Sequence, residues 1–590
     1  MTRPAPSVAA GCVVIPHTGL ACFKNGVLRL VSARVAVRWK NSGIGLITFS
    51  ALVACNSGEG GGVELSASGD AGTSASQSAS GADGSGSDGA STSNSGTNSE
   101  TGDEGPKLDF GGDGGTAETG GTMGGCDDLG ALPTNQGCEF WAVDLPNVSQ
   151  VLPFTLDVVP ADQQFAVVVV NPSDADGADV QIYQGDGTTP VDGGAVPFDT
   201  VRIFQLPALN ITPGATTQTG EAYRIESDLP VVVYQFQPLD NTSPVYSNDA
   251  TILFPTHVLT GDYTAITGDA TFDPDDGFGV ADVNTGAFIS VVATENDTLV
   301  TLHPTGGLHP GAFEDVLLQR GQVLTGISSE RGAPSYGNLS GSRIIADKPV
   351  AVFSGSTSTS EPSNPVVCCA DHLEHQMLPL SAWGNAYVAA PAAAAVGMGS
   401  DDSLYRITGV FDGTTLVYDP APPAGAPTVI NEEETISFIT DTPFTVHSTD
   451  DAKTFTVSQF LLSNQYFSAF SRPGDPSMIV LPAAEQFQSQ YTFYLPLGYA
   501  RDFVTIIRPL GAELTLDGSA FSGATFFPLG MLDGTSYEYT HVELPGGSHR
   551  LEGDAPFGII ASGHDSDVSF GYAGGSGIGV ISVPPPPPVD

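Results

Sequence analysis

The sequence predicts an all-β chain: tandem β-sandwich-like modules of about 100 residues, or alternatively a four-bladed β-propeller, preceded by a disordered stalk. Three observations predict it. Two short markers recur four times in the same order. Short β-branched runs bounded by Gly, Pro, Asp or Asn fill the stretches between them. Only 14% of the 590 residues are charged, while Gly (72) and Pro (44) abound, a turn-rich composition unlike that of helical proteins.

The first marker is an Asp-led turn between two apolar runs. Its copies are Tyr223-Arg-Ile-Glu-Ser-Asp228-Leu-Pro, Ser342-Arg-Ile-Ile-Ala-Asp347-Lys-Pro and His549-Arg-Leu-Glu-Gly-Asp554-Ala-Pro, with a degenerate copy ending at Asp451. The aspartates stand 119, 104 and 103 residues apart. Asp accepts backbone N–H bonds and Pro presets φ, so each copy reads as a hairpin turn and not as a catalytic acid. The second marker is an apolar residue plus Pro with an aromatic eight or nine residues on: Pro146/Phe154, Pro255/Tyr263, Pro379/Tyr387 and Pro482/Tyr491. Strands are expected at Val167–Val170, Ile289–Ala293, Leu299–Leu302, Val316–Leu324, Arg343–Ala346 and Val350–Ser354. The segment from Asn171 to Gly177 reads as a further hairpin turn.

These signals divide the chain into a signal region (1–55), a stalk (56–125), four β modules (126–249, 250–375, 376–477 and 478–577) and a Pro-rich tail (578–590). A basic stretch at Arg38–Lys40 leads into the mostly apolar Ile44–Ala54, which ends in Leu52-Val53-Ala54-Cys55. That run is too short to span about 30 Å of hydrocarbon but fits a signal-peptide core. The last four residues resemble a bacterial lipobox, in which Cys55 is acylated and becomes the new N-terminus. Several acyl chains anchor stably, at ~0.8 kcal/mol per buried methylene. The residues before this region do not fit a signal peptide, which points to a translation start near Val35 or Val37. The stalk is Ser, Gly, Thr, Asp and Glu with almost nothing to bury, so it cannot offset its ordering entropy. Its roughly 70 residues give an rms reach of about 45 Å. Pro584–Pro588 reads as a stiff, solvated polyproline end.

Charge narrows the partners. Against 66 acidic residues stand 19 basic ones, for a net charge of -47, and six of the 19 precede Cys55. Such a surface repels phosphate backbones, so no nucleic-acid partner is expected. The expected location is the bacterial outer membrane or cell surface, with the ectodomain exposed and the membrane reached through the lipid anchor.

Four cysteines remain after Cys12, Cys22 and Cys55: Cys126, Cys138, Cys368 and Cys369. An even number in an exported chain suggests two disulfides among three connectivities. Cys126–Cys138 would close a short loop, worth ~3 kcal/mol in the chain-entropy model. A vicinal Cys368–Cys369 bridge would be strained, since adjacent Cα atoms lie about 3.8 Å apart. With Asp371, His372, Glu374 and His375 these cysteines form the strongest chemical constellation. The histidines are three apart where a helical zinc motif needs four, and oxidation would remove the thiolates. The expectation is therefore a disulfide-bearing turn whose His and acid side chains are solvated or capping. Asp273, Asp275 and Asp276, with Asp282 and Asn284 beyond, form an oxygen-rich loop that could hold calcium but lacks the EF-hand spacing; no other cofactor is expected. Trp141 and Trp383 read as core anchors before carbohydrate platforms. No ectodomain serine sits in a Gly-x-Ser-x-Gly elbow, and no catalytic residue is assigned.

Three segments together resemble one known family: Cys138-Glu-Phe-Trp-Ala-Val, Gly341-Ser-Arg-Ile-Ile-Ala-Asp-Lys-Pro-Val-Ala-Val-Phe-Ser-Gly355, and Cys369-Ala-Asp-His-Leu-Glu-His-Gln-Met-Leu-Pro-Leu-Ser-Ala-Trp-Gly384. They look like the N-terminal domain family of the IgG Fc-binding protein, whose bacterial, myxobacterial-type members are predicted lipoproteins. The resemblance covers roughly residues 138–576 and implies a secreted binding or adhesion module, not an enzyme. The expected function is thus a surface-anchored, non-catalytic ectodomain recognising an extracellular protein or glycan. Two alternatives stand beside it. An extracellular hydrolase of polysaccharide or peptide would carry paired inward-facing acids in a cleft between modules. A structural spacer would expose no groove.

Overall fold

Phe165-Ala-Val-Val-Val-Val-Asn171 is buried at every position, which a β-branched run achieves only in a strand covered on both faces. In the computed structural model the described residues are 125–126, 129, 133–148, 159–209, 222–239, 247–269, 286–309, 313–328, 337–363, 370–467 and 472–588. The backbone is also described for Gln218–Thr219 and for two antiparallel hairpins, Leu20–Lys24 with Val27–Val31 and Arg34–Arg38 with Ile44–Thr48. Cys55, most of the signal region and the stalk lie outside the described residues. No helix among the described residues is long and apolar enough to cross a membrane.

The first repeat sets the pattern. Its strands are β1 (Gly137–Val143), β2 (Phe165–Asn171), β3 (Ala178–Gln184), β4 (Asp192–Val196), β5 (Thr200–Leu206), the long β6 (Ala222–Gln237) and β7 (Asp249–Leu253). The first half of β6 belongs to an antiparallel sheet ordered β4-β3-β6-β1. Its second half belongs to another, ordered β5-β2-β6-β7. The expected sandwich is therefore two sheets sharing one bent strand.

The second repeat carries β8 (Asp262–Thr264), β9 (Ala287–Ala293), β10 (Thr298–His303), β11 (Val316–Leu318), β12 (Gln322–Ser328), β13 (Arg343–Ala346), β14 (Val350–Thr359) and β15 (Asp371–Gln376). Its sheets run β11-β10-β13-β8 and β12-β9-β14-β15. In the third, β16 (Ala386–Ala389), β17 (Ser403–Gly409), β18 (Thr414–Asp419), β19 (Val429–Ile430), β20 (Thr435–Thr440), β21 (Phe444–Ser448), β22 (Phe455–Phe460) and β23 (Met478–Val480) repeat both orders. The fourth uses β24 (Gln488–Leu495), β25 (Arg501–Pro509), β26 (Leu514–Leu516), β27 (Ser519–Ala520), β28 (Phe527–Leu532), β29 (Thr535–Glu543), β30 (Gly547–Asp565) and β31 (Val568–Ala573). There β30 is again one long bent strand, and β28 extends the sheet beyond β29.

The four last strands, β7, β15, β23 and β31, are the sheet edges that meet at the centre: each touches the next, and β31 touches β7. The sheets are thereby arranged like a four-bladed propeller, the alternative architecture, with a two-sheet unit standing where a propeller has a single blade. The ring closes where Thr134 bridges Gly577 and the Asn135 N–H donates to the Ser576 carbonyl at 3.2 Å.

Both markers have a structural cause, and it differs from the expected one. The Asp-Leu-Pro, Asp-Lys-Pro and Asp-Ala-Pro copies are not hairpin turns. They are the points where a strand leaves one sheet for the other, so the halves on either side pair with different neighbours. Pro tolerates the break because its missing N–H has no ladder partner there. The aspartate caps the neighbouring strand: Asp228, Asp347 and Asp554 accept the N–H of Asp179, Leu299 and Glu513 at 2.6, 2.8 and 2.8 Å. The Asn171–Gly177 segment is no hairpin either, since β2 and β3 pair with opposite halves of β6 and not with each other. Val316–Leu324 divides into β11 and β12, in different sheets, at the turn ending in Gly321.

The aromatic of the second marker sits against this bend. Tyr263, Tyr387 and Tyr491 donate their hydroxyls to the carbonyls of Val350, Phe455 and Phe557 at 2.8, 2.7 and 2.5 Å. Those carbonyls lie just beyond the first-marker Asp, where the change of sheet would leave them unpaired inside the fold. The two markers of a repeat are thus in contact. In the first repeat the expected Phe154 lies outside the described residues, and Phe140 takes the position, facing Ile225 as Tyr263 faces Ile344.

The tail keeps Val580, Val583, Pro586 and Pro587 exposed, yet it is fastened to the fold at two places. Ile581 and Ser582 donate their N–H groups to the Ser381 carbonyl at 2.8 and 3.1 Å, and the Arg343 guanidinium reaches the Pro585 carbonyl at 2.8 Å. Pro carbonyls are good acceptors with no N–H to satisfy, which suits such a strap.

Replacing Tyr491 by Phe strands the Phe557 carbonyl and removes the acceptor of the Gln488 N–H. A loss of about 1–2 kcal/mol is expected in urea unfolding, against a change near zero at the solvent-exposed Leu510.

Candidate functional site

Asn248 and Asp249, buried at the start of β7, reach the other three repeats. The Asp249 carboxylate accepts the Glu374 N–H at 3.2 Å, the Ser477 hydroxyl at 2.7 Å and the Met478 N–H at 3.1 Å. The Asn248 N–H donates to Asp371 at 2.6 Å, and its side-chain amide to the Ser569 carbonyl at 3.2 Å and to the Tyr499 hydroxyl. Around this junction Asp371, His372, Glu374 and His375 form a fully buried strand. The expected solvated or capping turn is therefore incorrect: β15 is clamped between β14 and the axis, and its polar side chains are aimed inward. His372 stacks on Phe288 and lies 3.5 Å from Glu374, which accepts the Gln235 amide at 3.0 Å.

Burial dominates the electrostatics here. It pushes Asp249 up to about 8, against its three donors, and raises Asp371 and Glu374 well above the carboxylate range, with Asp249 adding to both shifts. It lowers His372 to about 3, and His375 and His564 to about 4. These groups are buried around the axis, where the bonds of Asp249 and Asp371 join the repeats. Among the described residues no cluster of His, Cys, Asp and Glu could hold a metal ion. Cys368 and Cys369 lie outside the described residues, as do Asp273, Asp275 and Asp276. The Cys126–Cys138 disulfide is present. Trp141 and Trp383 are buried, Trp141 beneath the Arg224 and Arg320 guanidiniums.

An accessible site lies instead between the second and third repeats, in a cleft of about 570 Å³. Asp269, Asn338, Ser340, Glu361 and Ser363 form one wall; Leu404 and Arg406 on β17, with Thr435, Ser437, Phe438 and Ile439 on β20, form the other. Gly341 sets the spacing of the walls. Its φ of +90° favours glycine, and a Cβ there would stand 2.5 Å from the Glu433 carbonyl oxygen of the facing repeat.

At the floor Arg406, 3% exposed, lies 3.4 Å from Glu361, 1% exposed. The guanidinium also donates to Ser437 at 3.0 Å and to the Thr267 carbonyl, and lies over the Phe460 ring at 4.5 Å. Burial pushes Glu361 up to about 7, with Arg406 opposing and Asp269 adding. Its Oε1 faces Arg406, while its Oε2 is buried with no hydrogen-bond partner. Asp269 uses both oxygens, on Asn338 at 2.7 Å and Ser363 at 2.6 Å. Sequence reasoning missed Arg406, Glu361 and Asp269: they stand in no recognisable motif, and strands far apart in sequence bring them together.

The axial acids and imidazoles give opposite pH slopes. An acid held neutral loses stability as pH rises from its ordinary ~4 towards its raised value; an imidazole held neutral loses it as pH falls below ~6.5. Above about pH 6.5 only the acids act. Stability is therefore expected to fall as pH rises from about 6.5 to 8.5, measured by urea titration, and Asp249→Asn should reduce that slope by up to about one proton. Asp249→Ala, which leaves three buried donors unpaired, should cost about 3 kcal/mol or more.

Curated proteins provide no match to the chain. The family model described as "IgGFc binding protein" matches residues 249–563, more than half of the chain, from the axial Asp249 through the cleft to the fourth repeat. That family is one of binding proteins, not catalysts, and the match over more than half of the chain makes this chain a member of the IgGFc binding protein family.

Proposed function

We propose that the chain is a recognition protein of the bacterial outer surface, tethered through a lipid on Cys55 and the stalk 56–125, that captures an extracellular protein partner in the cleft between its second and third repeats. The cleft itself carries this reading. It is a polar-walled cavity of about 570 Å³ whose lining residues all fall within the family match, and it combines convergent polar groups with an apolar side at Leu404, Phe438 and Ile439. The strong negative charge of the chain favours encounter with cationic surfaces and suppresses nonspecific association.

The cleft does place acids together, the feature assigned above to a hydrolase. Two-carboxylate hydrolysis needs an acid and a second carboxylate available to water or to the substrate. Asp269 has both oxygens engaged within its own repeat, and Glu361 is braced by Arg406. A buried carboxylate oxygen without a donor, Glu361 Oε2, suits binding. The spacer reading requires a surface without a groove, and the cleft argues against it.

The test is binding of the full chain to proteins of the cell's own envelope and secretions. Saturable capture of one partner is expected, and Ser437→Trp, placing an indole in the cleft from an exposed strand position, should weaken it by about tenfold or more. Undiminished binding by Ser437→Trp moves the site elsewhere. Turnover of a glycan or peptide panel would favour the hydrolase.

A further inference from the structure

Among the described residues that line the cleft, Glu361 Oε2 is the buried carboxylate oxygen without a donor. Leaving such an atom unpaired is costly, and a ligand that brings a donor recovers the cost on binding. Among the described residues three acids line the cleft, Asp269, Glu361 and Glu433, against one cation, Arg406. Arg406 is already committed to Glu361, Ser437 and the Thr267 carbonyl, so the unbalanced charge is negative. Beside it Leu404, Phe438 and Ile439 offer an apolar surface along which a methylene stem can lie with its charged head beyond.

From this geometry we infer that the cleft takes a basic side chain, a lysine or arginine of the protein partner, with its charged head donating to Glu361 Oε2. This rests on the reading of the cleft as a protein-binding site and specifies what it recognises. Asp269 and Glu433 supply the longer-range attraction, while the exposed Ser437 hydroxyl, which accepts from Arg406, keeps its O–H to donate to the partner's backbone. An anionic ligand would face three acids. A neutral glycan can hydrogen-bond to the hydroxyls but gains nothing from the charge imbalance.

Occupation by a cation favours the ionised form of Glu361. The groups facing it are Arg406 from β17 and Asp269 from its own repeat, with Glu433 at the rim. Burial holds Glu361 near 7 in the unliganded protein, so binding is expected to tighten as pH rises from about 6 to 8 and to release up to one proton.

The experiment is selection of random heptapeptides displayed on phage against the full chain at pH 8, followed by titration of the synthetic peptides recovered. Expected are peptides sharing one Lys or Arg at a fixed position. Their affinity should fall about tenfold or more when that residue becomes Gln, or in Glu361→Gln, and should weaken at pH 6. Because Glu361→Gln leaves Arg406 buried without its partner charge and can unfold, Glu433→Gln on the exposed rim is the second variant, expected to weaken binding about two- to threefold. Peptides that bind in the cleft, as shown by loss of binding in Ser437→Trp, but carry no basic residue and ignore both Gln variants overturn the ligand class and leave the site standing. Peptides indifferent to Ser437→Trp, or no peptides at all, overturn the cleft as a protein-binding site.

Discussion

The architecture depends on two adjacent side chains. Asp249 opens the axial strand of the first repeat and Asn248 directly precedes it, and between them they bond to the second, third and fourth repeats. A ring of four two-sheet units brings four sheet edges to one axis, and each edge carries backbone groups that must find partners. A carboxylate and an amide, with about six acceptor and two donor sites between them, satisfy such groups from several directions at once. The energetic cost is the desolvation of Asp249, which explains why its proton affinity rises although every contact it makes is a donor.

Each inter-repeat contact is then built differently. Between the first and second repeats Arg320 bonds Glu139 and Asp186 at 2.8 and 3.2 Å. Between the fourth and first, Tyr234 and Phe236 pack on Phe570 and Tyr572. Between the third and fourth, Arg501 reaches the carbonyls of Ala394 and Gly397 at 3.0 and 2.8 Å. At the junction of the second and third the described side chains leave a polar cleft with the buried Arg406–Glu361 pair at its floor. Four copies of one fold thus provide a frame, and departures from the repeat provide the site.

Local sequence rules revealed the frame. The all-β class, four repeats and the positions of strands such as Arg343–Ala346 follow from turn residues and β-branched runs, which act over a few residues. The recurrence of Asp and Tyr was equally visible, but their roles were not. A bend between sheets and a hairpin use the same Asp and Pro, and only the pairing partners distinguish them. The axis was the hardest part to read. Asp371-His-Leu-Glu-His-Gln376 has the composition of a solvated loop, and its burial comes from residues more than 100 positions away, such as Asn248 and Gln235. Arg406 and Glu361 are 45 residues apart in different repeats, a pairing that no spacing rule encodes.

Native-state hydrogen exchange of the full chain tests most directly whether the Asn248–Asp249 junction makes the four repeats one cooperative unit. The account predicts that amides of all four axial strands, Asp249–Leu253, Asp371–Gln376, Met478–Val480 and Val568–Ala573, exchange through a common opening free energy, and that Asp249→Ala lowers all four together. Distinct opening energies for the four repeats, or an Asp249→Ala effect confined to the first, would contradict it.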